Sequence, residues 1–487
     1  MAYCKICLKL RCVMENTKGS YRFNADIFFP WLLVFTLAAA LALAWWQVEA
    51  QEMRQAWEFV KYWSTENYLA AGVTLWAFSI LAFRIWFACR YRSYAPLSDN
   101  AVPTITIVIP AYNEGRQILD TVRSVMNSRY PAEKMQVICV DDGSKDDTWQ
   151  WMQIAQQEFP GRVHLLRQPF NRGKRHALMA GFAQAAGKVY VTIDSDSEVL
   201  PDTLRHLVSP LASDLRVGAV AGNVRVLNLS EGAIPKMLEV SFVSSFDFLR
   251  SGQSVYGGVF CTPGALSAYR PEVINPHLSN WINQTFMGNR AAIGEDRALT
   301  NLVLACGHRV VYQREAVVMT KIPITLKGLR RMLLRWARSN VRENLVMLSF
   351  IMRRFRRDDS GSGWIRLFSA TQLFRMTMGE ASKFAVAAQL YLAFLPTLIA
   401  MAIGCVISAA LPAVVYQWRY GGLFGWRWAI PYSFYWLFCL CWISLWGLVT
   451  APRSGWLTRD LAKSAGQPKL PSVPQPGNVQ NIFSKAA

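Results

Sequence analysis

Asp194-Ser195-Asp196 sets two carboxylates one residue apart, directly after the apolar run Val189-Tyr-Val-Thr-Ile193. In extended chain alternate side chains point the same way, so both carboxylates can face one ligand. Two hard oxygen donors beside a diphosphate suit Mg²⁺ or Mn²⁺, although the same pair can be a solvated turn. Other chemistry-bearing groups flank this one in order: Val140-Asp141-Asp142-Gly143-Ser144 before it, Gly294-Glu295-Asp296-Arg297 and then Arg335-Trp336 after it. Gly173-Lys174-Arg175-His176 opens a helical pattern, where a Gly followed by two cations can hold phosphate or simply form a surface charge cluster. Glu295 and Asp296 enter the helical run Ala298–Ala305. A carboxylate there can cap the helix or act as general base toward an incoming hydroxyl. Taken together, the groups suggest transfer chemistry on a water-soluble, anionic donor.

The elements that must position these residues follow from the patterning. Thr104–Ile109 alternates before Pro110, Gln136–Val140 is a short buried strand ending at Asp141, and Val189–Ile193 ends at Asp194. Helical patterns at Gln117–Met126 and His176–Ala186 lie between them. Strand–helix alternation predicts an α/β domain with a mostly parallel sheet. Ligands of such sheets bind beyond the carboxyl ends of strands, where both acidic motifs fall.

The chain has 487 residues, a formal net charge of +20, 52% hydrophobic residues and 19 Trp. That much apolar and aromatic material exceeds the need of a soluble core. Phe28–Val48 and Tyr68–Phe87 are each long enough for one membrane span. The loop between them is acidic (Glu49, Glu52, Glu58, Glu66), and the segments outside the pair are basic. The positive-inside rule puts the N-terminus and everything beyond Arg90 in the cytoplasm. Basic loops against anionic lipid therefore account for the charge better than nucleic-acid binding, and no nucleic-acid partner is expected. After the α/β region, the run 384–416 reads as one tilted span kinked at Pro396, with two crossings as the alternative, and Ile430–Thr450 as the last clear span. The N-terminus lacks a signal-peptide pattern. The ten Cys form no disulfide framework, and Cys4, Cys7 and Cys12 make only half a metal site.

Leu326–Arg342 is the sharpest periodic segment. Leu326, Leu329, Leu333 and Trp336 fall on one helical face, and Arg331, Arg335, Arg338 and Arg342 on the opposite one. The plain reading is an interfacial helix whose arginines bind anionic lipid. The sharper reading adds that Arg335 meets a diphosphate while Trp336 packs on a sugar. Trp364–Lys383 is a second, less regular interface candidate.

From Thr104 to Arg459 the series resembles the processive, membrane-embedded family-2 glycosyltransferases, in particular the hyaluronan synthases and nodulation chitin-oligosaccharide synthases. The residues carrying it are Pro110-Ala-Tyr-Asn-Glu114, Asp141-Asp-Gly-Ser144, Gly173-Lys-Arg-His-Ala177, Asp194-Ser-Asp196, Gln253-Ser254 and Cys261-Thr-Pro-Gly264. They continue through Gly294-Glu-Asp-Arg297, Arg335-Trp-Ala-Arg-Ser339 and Trp456-Leu-Thr-Arg459. The resemblance implies a GT-A fold and an inverting, UDP-sugar-dependent enzyme with Mg²⁺ or Mn²⁺. Glu114 with Asp142 or Asp141 would hold the uridine, with Lys174 and Arg175 near the nucleotide. Asp196 would ligate the metal, supported by Asp194. Asp296, beside Glu295, would deprotonate the acceptor. Arg335 would grip the diphosphate, Cys261 and Trp336 would face the acceptor sugar, and Trp456 and Arg459 would close over the site. Met332 stands where the family motif has Gln, and Leu457 where hyaluronan synthases carry Gly.

The expected organisation is a cytosolic segment (1–27), two spans (28–92), a GT-A domain (98–325) and amphipathic interface helices (326–383). Two or three further spans (384–450) and a cytosolic tail (451–487) complete it. The expected partners are a UDP-sugar donor, a growing polysaccharide acceptor and membrane lipid, at the inner (plasma) membrane. The competing classes are a single-transfer enzyme acting on a lipid carrier and a transport or scaffold subunit with a dead domain.

Overall fold

Strand β1 (Ile105–Ala111) is buried at every position, because helices cover both sides of the sheet it centres. The computed structural model describes residues 65–356 and 361–453. β1 pairs in parallel with β2 (Met135–Asp141) and β4 (Val189–Ile193), and β2 in turn with β3 (Val163–Arg167). β5 (Ser197–Val199), β6 (Val217–Val226), β7 (Leu266–Tyr269) and β10 (Arg309–Thr320) complete an eight-stranded sheet of order β3-β2-β1-β4-β7-β6-β10-β5. A two-residue ribbon, β8 (Thr285–Phe286) and β9 (Asn289–Arg290), stands apart. Only β7 and β5 run antiparallel to their neighbours in the large sheet. Period-two alternation splits the core into two layers: Ile107, Ile109, Val137 and Cys139 face one side, Val108, Ile138 and Val140 the other.

The crossover helices are α1 (Thr65–Arg90), which enters the domain, then α2 (Gln117–Met126), α3 (Thr148–Glu158), α4 (Lys174–Ala183) and α5 (Thr203–Ser213). They are followed by α6 (Ala233–Phe242), α7 (Leu249–Val255) and α8 (Glu295–Ala305). The strand and helix positions expected from patterning hold, with α4 starting two residues early.

Helix α9 (Leu326–Ile351) starts at Thr325, whose hydroxyl accepts from the Gly328 amide at 3.2 Å. It corrects the lipid-surface reading of its arginine stripe. Arg331 is exposed, but Arg338 and Arg342 are 4% and 1% exposed. Arg338 donates to the Thr450 hydroxyl at 2.9 Å, and Arg342 is gripped inside the catalytic domain. A periodic wheel reports which residues share a face, not what covers that face. Here protein covers it, down to a contact so tight that a Cβ at Gly447 would lie 2.5 Å from that of Ala337.

Helix α10 (Ser362–Leu392) likewise begins inside the protein rather than at an interface. Trp364 and Phe368 pack edge-on to Phe87 and stack on Tyr256, respectively. The chain breaks at Ala393, and α11 (Phe394–Tyr420) follows. Pro396 lies in the first turn of α11, where its missing N–H costs nothing, so it starts a helix instead of kinking one. Gly421 and Gly422, both with positive φ, turn the chain into α12 (Phe424–Tyr435). α13 (Trp442–Val449) follows a single π-turn and a bend of 47°. Lys383 covers that break: its ammonium donates to the Cys441 carbonyl and the Ser444 hydroxyl, each at 2.7 Å, and pairs with Glu380. Among the described residues, Ala71–Arg90 and Phe394–Tyr420 are long and apolar enough to cross a membrane, with the bent α12–α13 pair a third candidate. The expected first span, Phe28–Val48, lies outside the described residues.

Candidate active site

Asp142, one residue beyond β2, lies at the carboxyl edge of the sheet. Its two oxygens accept from the Arg172 and Gly173 amides at 2.9 Å each. It therefore fixes the loop that launches α4. Burial, countered by those two amides, pushes its carboxyl up to about 6. Gly173 has φ +93, and its amide is already taken by Asp142 and Asn171. The first turn of α4 thus presents the Lys174 side chain rather than a bare amide to the site.

The Lys174 ammonium lies between two carboxylates. It pairs with Asp194, just past β4, and with Glu295 at 3.0 Å. Burial alone would lower its pKa, but the pull of Asp194 and Glu295 outweighs this and raises it. Gly264 permits the arrangement, because a Cβ there would sit 2.6 Å from the Lys174 nitrogen. Asp196 faces the same cavity, and among the described residues no cation pairs with it directly. Its neighbours are the hydroxyls of Ser197 at 3.3 Å and Thr320 at 3.4 Å. Burial, reinforced by the charge of Asp194, pushes it up to about 6.

Glu295 and Asp296 open α8 behind Gly294, whose φ is +70. Their environments push them apart. Burial would raise Glu295, but Lys174 holds it down at about 2. Burial and then the charge of Glu295 raise Asp296, against the partial counter-pull of Lys174. Of two adjacent carboxyls separated in this way, the raised one, Asp296, is the candidate for acid–base work. One of its oxygens accepts from the Arg297 amide at 2.7 Å, and the other lies 3.6 Å from the Cys261 sulfur. Burial, with Asp296 nearby, pushes the Cys261 thiol up to about 12, so it stays a neutral donor.

These groups line one cavity of about 560 Å³. Its polar end holds Asp142, Lys174, Asp194, Asp196, Glu295 and Asp296; Arg335 and Trp336 of α9 join it from the side. It continues to the α12 segment, where Tyr432 and Trp436 line it. Met332, at the position of the family Gln, also lines it and is 6% exposed.

Three sequence candidates sit off the cavity. Asp141 is fully buried; it accepts from the Ser144 amide at 2.8 Å and pairs with Arg167 at 3.2 Å, which makes it a turn-holding residue. Arg175 points behind the site, donating to the Trp281 carbonyl at 2.7 Å and lying over that indole. A helix residue next to one that faces a site turns about 100° away from it. Glu114 sits in the loop between β1 and α2, its amide held by the Thr148 hydroxyl at 2.8 Å. Trp456 and Arg459 lie outside the described residues. Sequence reasoning missed Arg250, Arg297 and Arg375, which also line the cavity. Arg297 is part of the Gly294–Arg297 motif, but no spacing singles out the other two.

The family model for glycosyl transferase family 2 matches residues 106–278. A hyaluronan synthase of Streptococcus pyogenes serotype M3 is 32% identical over 267 residues, which is 53% of this chain and 62% of that protein. The N-acetylglucosaminyltransferase of Rhizobium meliloti is 30% identical over 289 residues, 58% of this chain and 67% of that protein. The chain thus spans somewhat under two thirds of the hyaluronan synthases it matches. Among solved structures, the mannosyltransferase PcManGT from Pyrobaculum calidifontis, in complex with GDP-Man and Mn²⁺, superposes with TM-score 0.54 at 21% identity. The match covers 76% of this chain and 97% of that one, and it establishes the shared GT-A fold.

Proposed function

Because the chain belongs to glycosyl transferase family 2, we propose that it is a processive, inverting enzyme that polymerises a β-linked polysaccharide from UDP-sugars. It does so at the cytosolic face of the cell's inner membrane, as a multi-pass protein, and exports the product in the manner of hyaluronan synthases. The observation that carries this reading is the continuity of the cavity. The acid–base pair Glu295/Asp296 and the aromatic residues of the α12 segment share one space, so a chain lengthened at Asp296 has a path toward the spans.

In the proposed reaction Asp296 accepts the proton of the acceptor hydroxyl as its oxygen bonds to the donor's anomeric carbon. The bond from that carbon to the diphosphate oxygen breaks on the opposite face, and UDP departs with the electron pair. Inversion of an α-linked donor gives a β linkage. Lys174 holds Glu295 ionised and keeps positive charge near the diphosphate. Arg335 supplies a forked donor to the same group, and Trp336 gives the acceptor sugar a flat apolar face.

The residues present fit a divalent cation. Mg²⁺ binds through one or two carboxylates plus substrate phosphates. Asp194 and Asp196 supply the two carboxylates, and no cluster of three or more ligating side chains occurs among the described residues. Asp196, raised by burial and then by the charge of Asp194, is the member a cation would relieve. When bound, the metal would neutralise charge on the leaving diphosphate.

Chitin-type, poly-N-acetylglucosamine and β-glucan products fit the same site; a single transfer to a lipid carrier is the second reading. UDP release by the purified protein with UDP-N-acetylglucosamine, UDP-glucose and UDP-glucuronate, singly and paired, tests the proposal. A product ladder supports it, a single product supports lipid transfer, and undiminished activity in excess chelator removes the metal.

A further inference from the structure

Between α6 and α7 the helix is wound more loosely, as a π-turn from Val243 to Phe248. Such turns are rare within helices and concentrate at functional sites. One side of the segment lines the catalytic cavity through Phe242, Ser245, Phe246 and Leu249. The Phe242 ring packs edge-on to Phe246 at 4.8 Å between centres and lies 6.1 Å from Trp336, the indole proposed above as the acceptor platform. The other side carries Glu239, Val243, Asp247 and Ser251, four residues apart and all fully buried.

Asp247 is held from two directions. Its Oδ1 accepts from the Arg314 guanidinium of β10 at 2.9 Å, from the Ser251 hydroxyl at 3.0 Å and from the Tyr312 hydroxyl at 3.4 Å. Its Oδ2 lies 2.9 Å from Nε of Arg419, in the last turn of the candidate span α11. This second contact is one of charge, without hydrogen-bond alignment. A neighbouring rung repeats the arrangement. Glu239 pairs with Arg225 of β6 and accepts from the Val226 amide at 3.0 Å, and the Arg225 guanidinium lies 4.0 Å over the Tyr420 ring at the end of α11.

A fully buried carboxylate is costly unless it is paired and hydrogen-bonded. An apolar side chain would pack α11 against the domain at least as well, so adhesion alone does not account for the pair. The charges add direction: planar forks fix the carboxylate, and with it the turn, relative to both β10 and α11.

Resting on the glycosyltransferase reading, we propose that Asp247 is a positioning residue for the acceptor. Clamped between Arg314 of the sheet and Arg419 of the span, it holds the π-turn at the winding that sets Phe242 and Phe246 behind Trp336. It does not line the cavity and acts through those rings. One carboxylate thereby keeps the catalytic domain and α11 in register along the path from Asp296 toward the spans.

The test uses full-length protein in native membranes, supplied with UDP-N-acetylglucosamine, UDP-glucose and UDP-glucuronate in the combination that wild type turns over. Donor KM, UDP released per sugar incorporated and product length are read for each variant, normalised to folded enzyme. Asp247→Asn keeps the shape and removes the charge. It should leave donor KM near the wild-type value and lower incorporation about ten- to a hundredfold, the scale of a misplacement of about 1 Å at the reacting centre. Products should be shorter, and UDP released per sugar should rise as water takes the place of a misplaced acceptor. Arg419→Met leaves the Asp247–Arg314 pair intact, so it should show the same shifts in milder form with a smaller fall in unfolding midpoint. Arg419→Lys, which keeps the charge, should recover part of them. A loss of activity that only tracks the loss of folded protein, with KM, ratio and length unchanged, would make Asp247 a structural residue and overturn the inference. So would equal behaviour of Arg419→Met and Arg419→Lys, which decides the matter alone where Asp247→Asn fails to accumulate. These outcomes leave the glycosyltransferase reading standing, whereas absence of UDP release by wild type from every donor would overturn both.

Discussion

Replacing Arg342 by Leu separates the two accounts of helix α9. On the lipid-surface account Arg342 is one of several interchangeable charges, and its loss is mild. In the structure it is 1% exposed. Its fork donates to the Glu343 carboxylate at 2.8 Å and to the Ile293 carbonyl, directly before the Gly294-Glu295-Asp296 turn. Glu343 is equally buried; its other hydrogen-bond donors among the described residues are Asn301 at 3.0 Å and Gln284 at 3.2 Å, and buried Arg175 is near enough to feel its charge. Arg342→Leu therefore leaves a buried carboxylate without its hydrogen-bonded cation, with Arg175 as the remaining nearby charge, and a buried carbonyl without its donor. Breaking a buried pair this way costs about 3–5 kcal/mol, against a total stability of about 5–15 kcal/mol for a domain. Arg331→Leu, at an exposed position of the same stripe, should change stability by no more than about 0.5 kcal/mol. Arg342→Lys should fall between, since it keeps the charge but loses the fork. The assay is the thermal unfolding midpoint of detergent-solubilised protein, with UDP release measured at a temperature where each variant remains folded. Turnover should fall further than UDP affinity, because the Ile293 carbonyl anchors the turn that presents Asp296. Equal midpoints for Arg342→Leu and Arg331→Leu would refute the reasoning.

Asp296→Asn should lower turnover by about 10²–10⁴ with UDP affinity nearly intact, read by single-turnover UDP release and by calorimetry; a wild-type rate would remove Asp296 as base. Gly294→Ala should abolish activity and lower expression, because the position needs φ +70 and an added Cβ would meet that of Ser339 at 2.5 Å. Asp142 carries a carboxyl raised from 3.8 to about 6. Its proton-linked stabilisation is complete below pH 3.8 and is lost as the pH rises through about 6. Wild type should therefore lose up to about 3 kcal/mol relative to Asp142→Asn across that window, measured from denaturation midpoints at several pH values. Asp196→Asn should abolish Mg²⁺- or Mn²⁺-dependent UDP release, whereas Asp141→Asn should act mainly on stability, since Asp141 holds the turn at Ser144 and lies off the cavity.

Much of this protein is set by short-range pattern. Alternation in Thr104–Ile109 and the buried runs before Asp141 and Asp194 specified strands, because a strand's side chains report burial at a period of two. Acidic residues at strand ends specified where a ligand binds, because the carboxyl edge of a parallel sheet is where loops converge. Asp194 and Asp196 are legible for that reason, and Lys174, Glu295, Asp296 and Arg335 through their motifs and the family resemblance; the structure gathers all six along one cavity. What covers a helix face is not a local property. The arginine stripe of α9 has one periodicity, yet Arg331 meets solvent, Arg335 the cavity and Arg342 a buried glutamate, because different elements pack along its length. Nor is the choice between neighbours local: Asp142 faces the cavity and Asp141 the turn, Lys174 faces it and Arg175 faces Trp281. In the sequence only the family resemblance prefers Asp296 to Glu295 as base; no local pattern separates the two. The physical difference between them arises in the fold, where Lys174, 121 positions earlier in the chain, comes within 3.0 Å of Glu295 and holds its carboxyl down while that of Asp296 is raised.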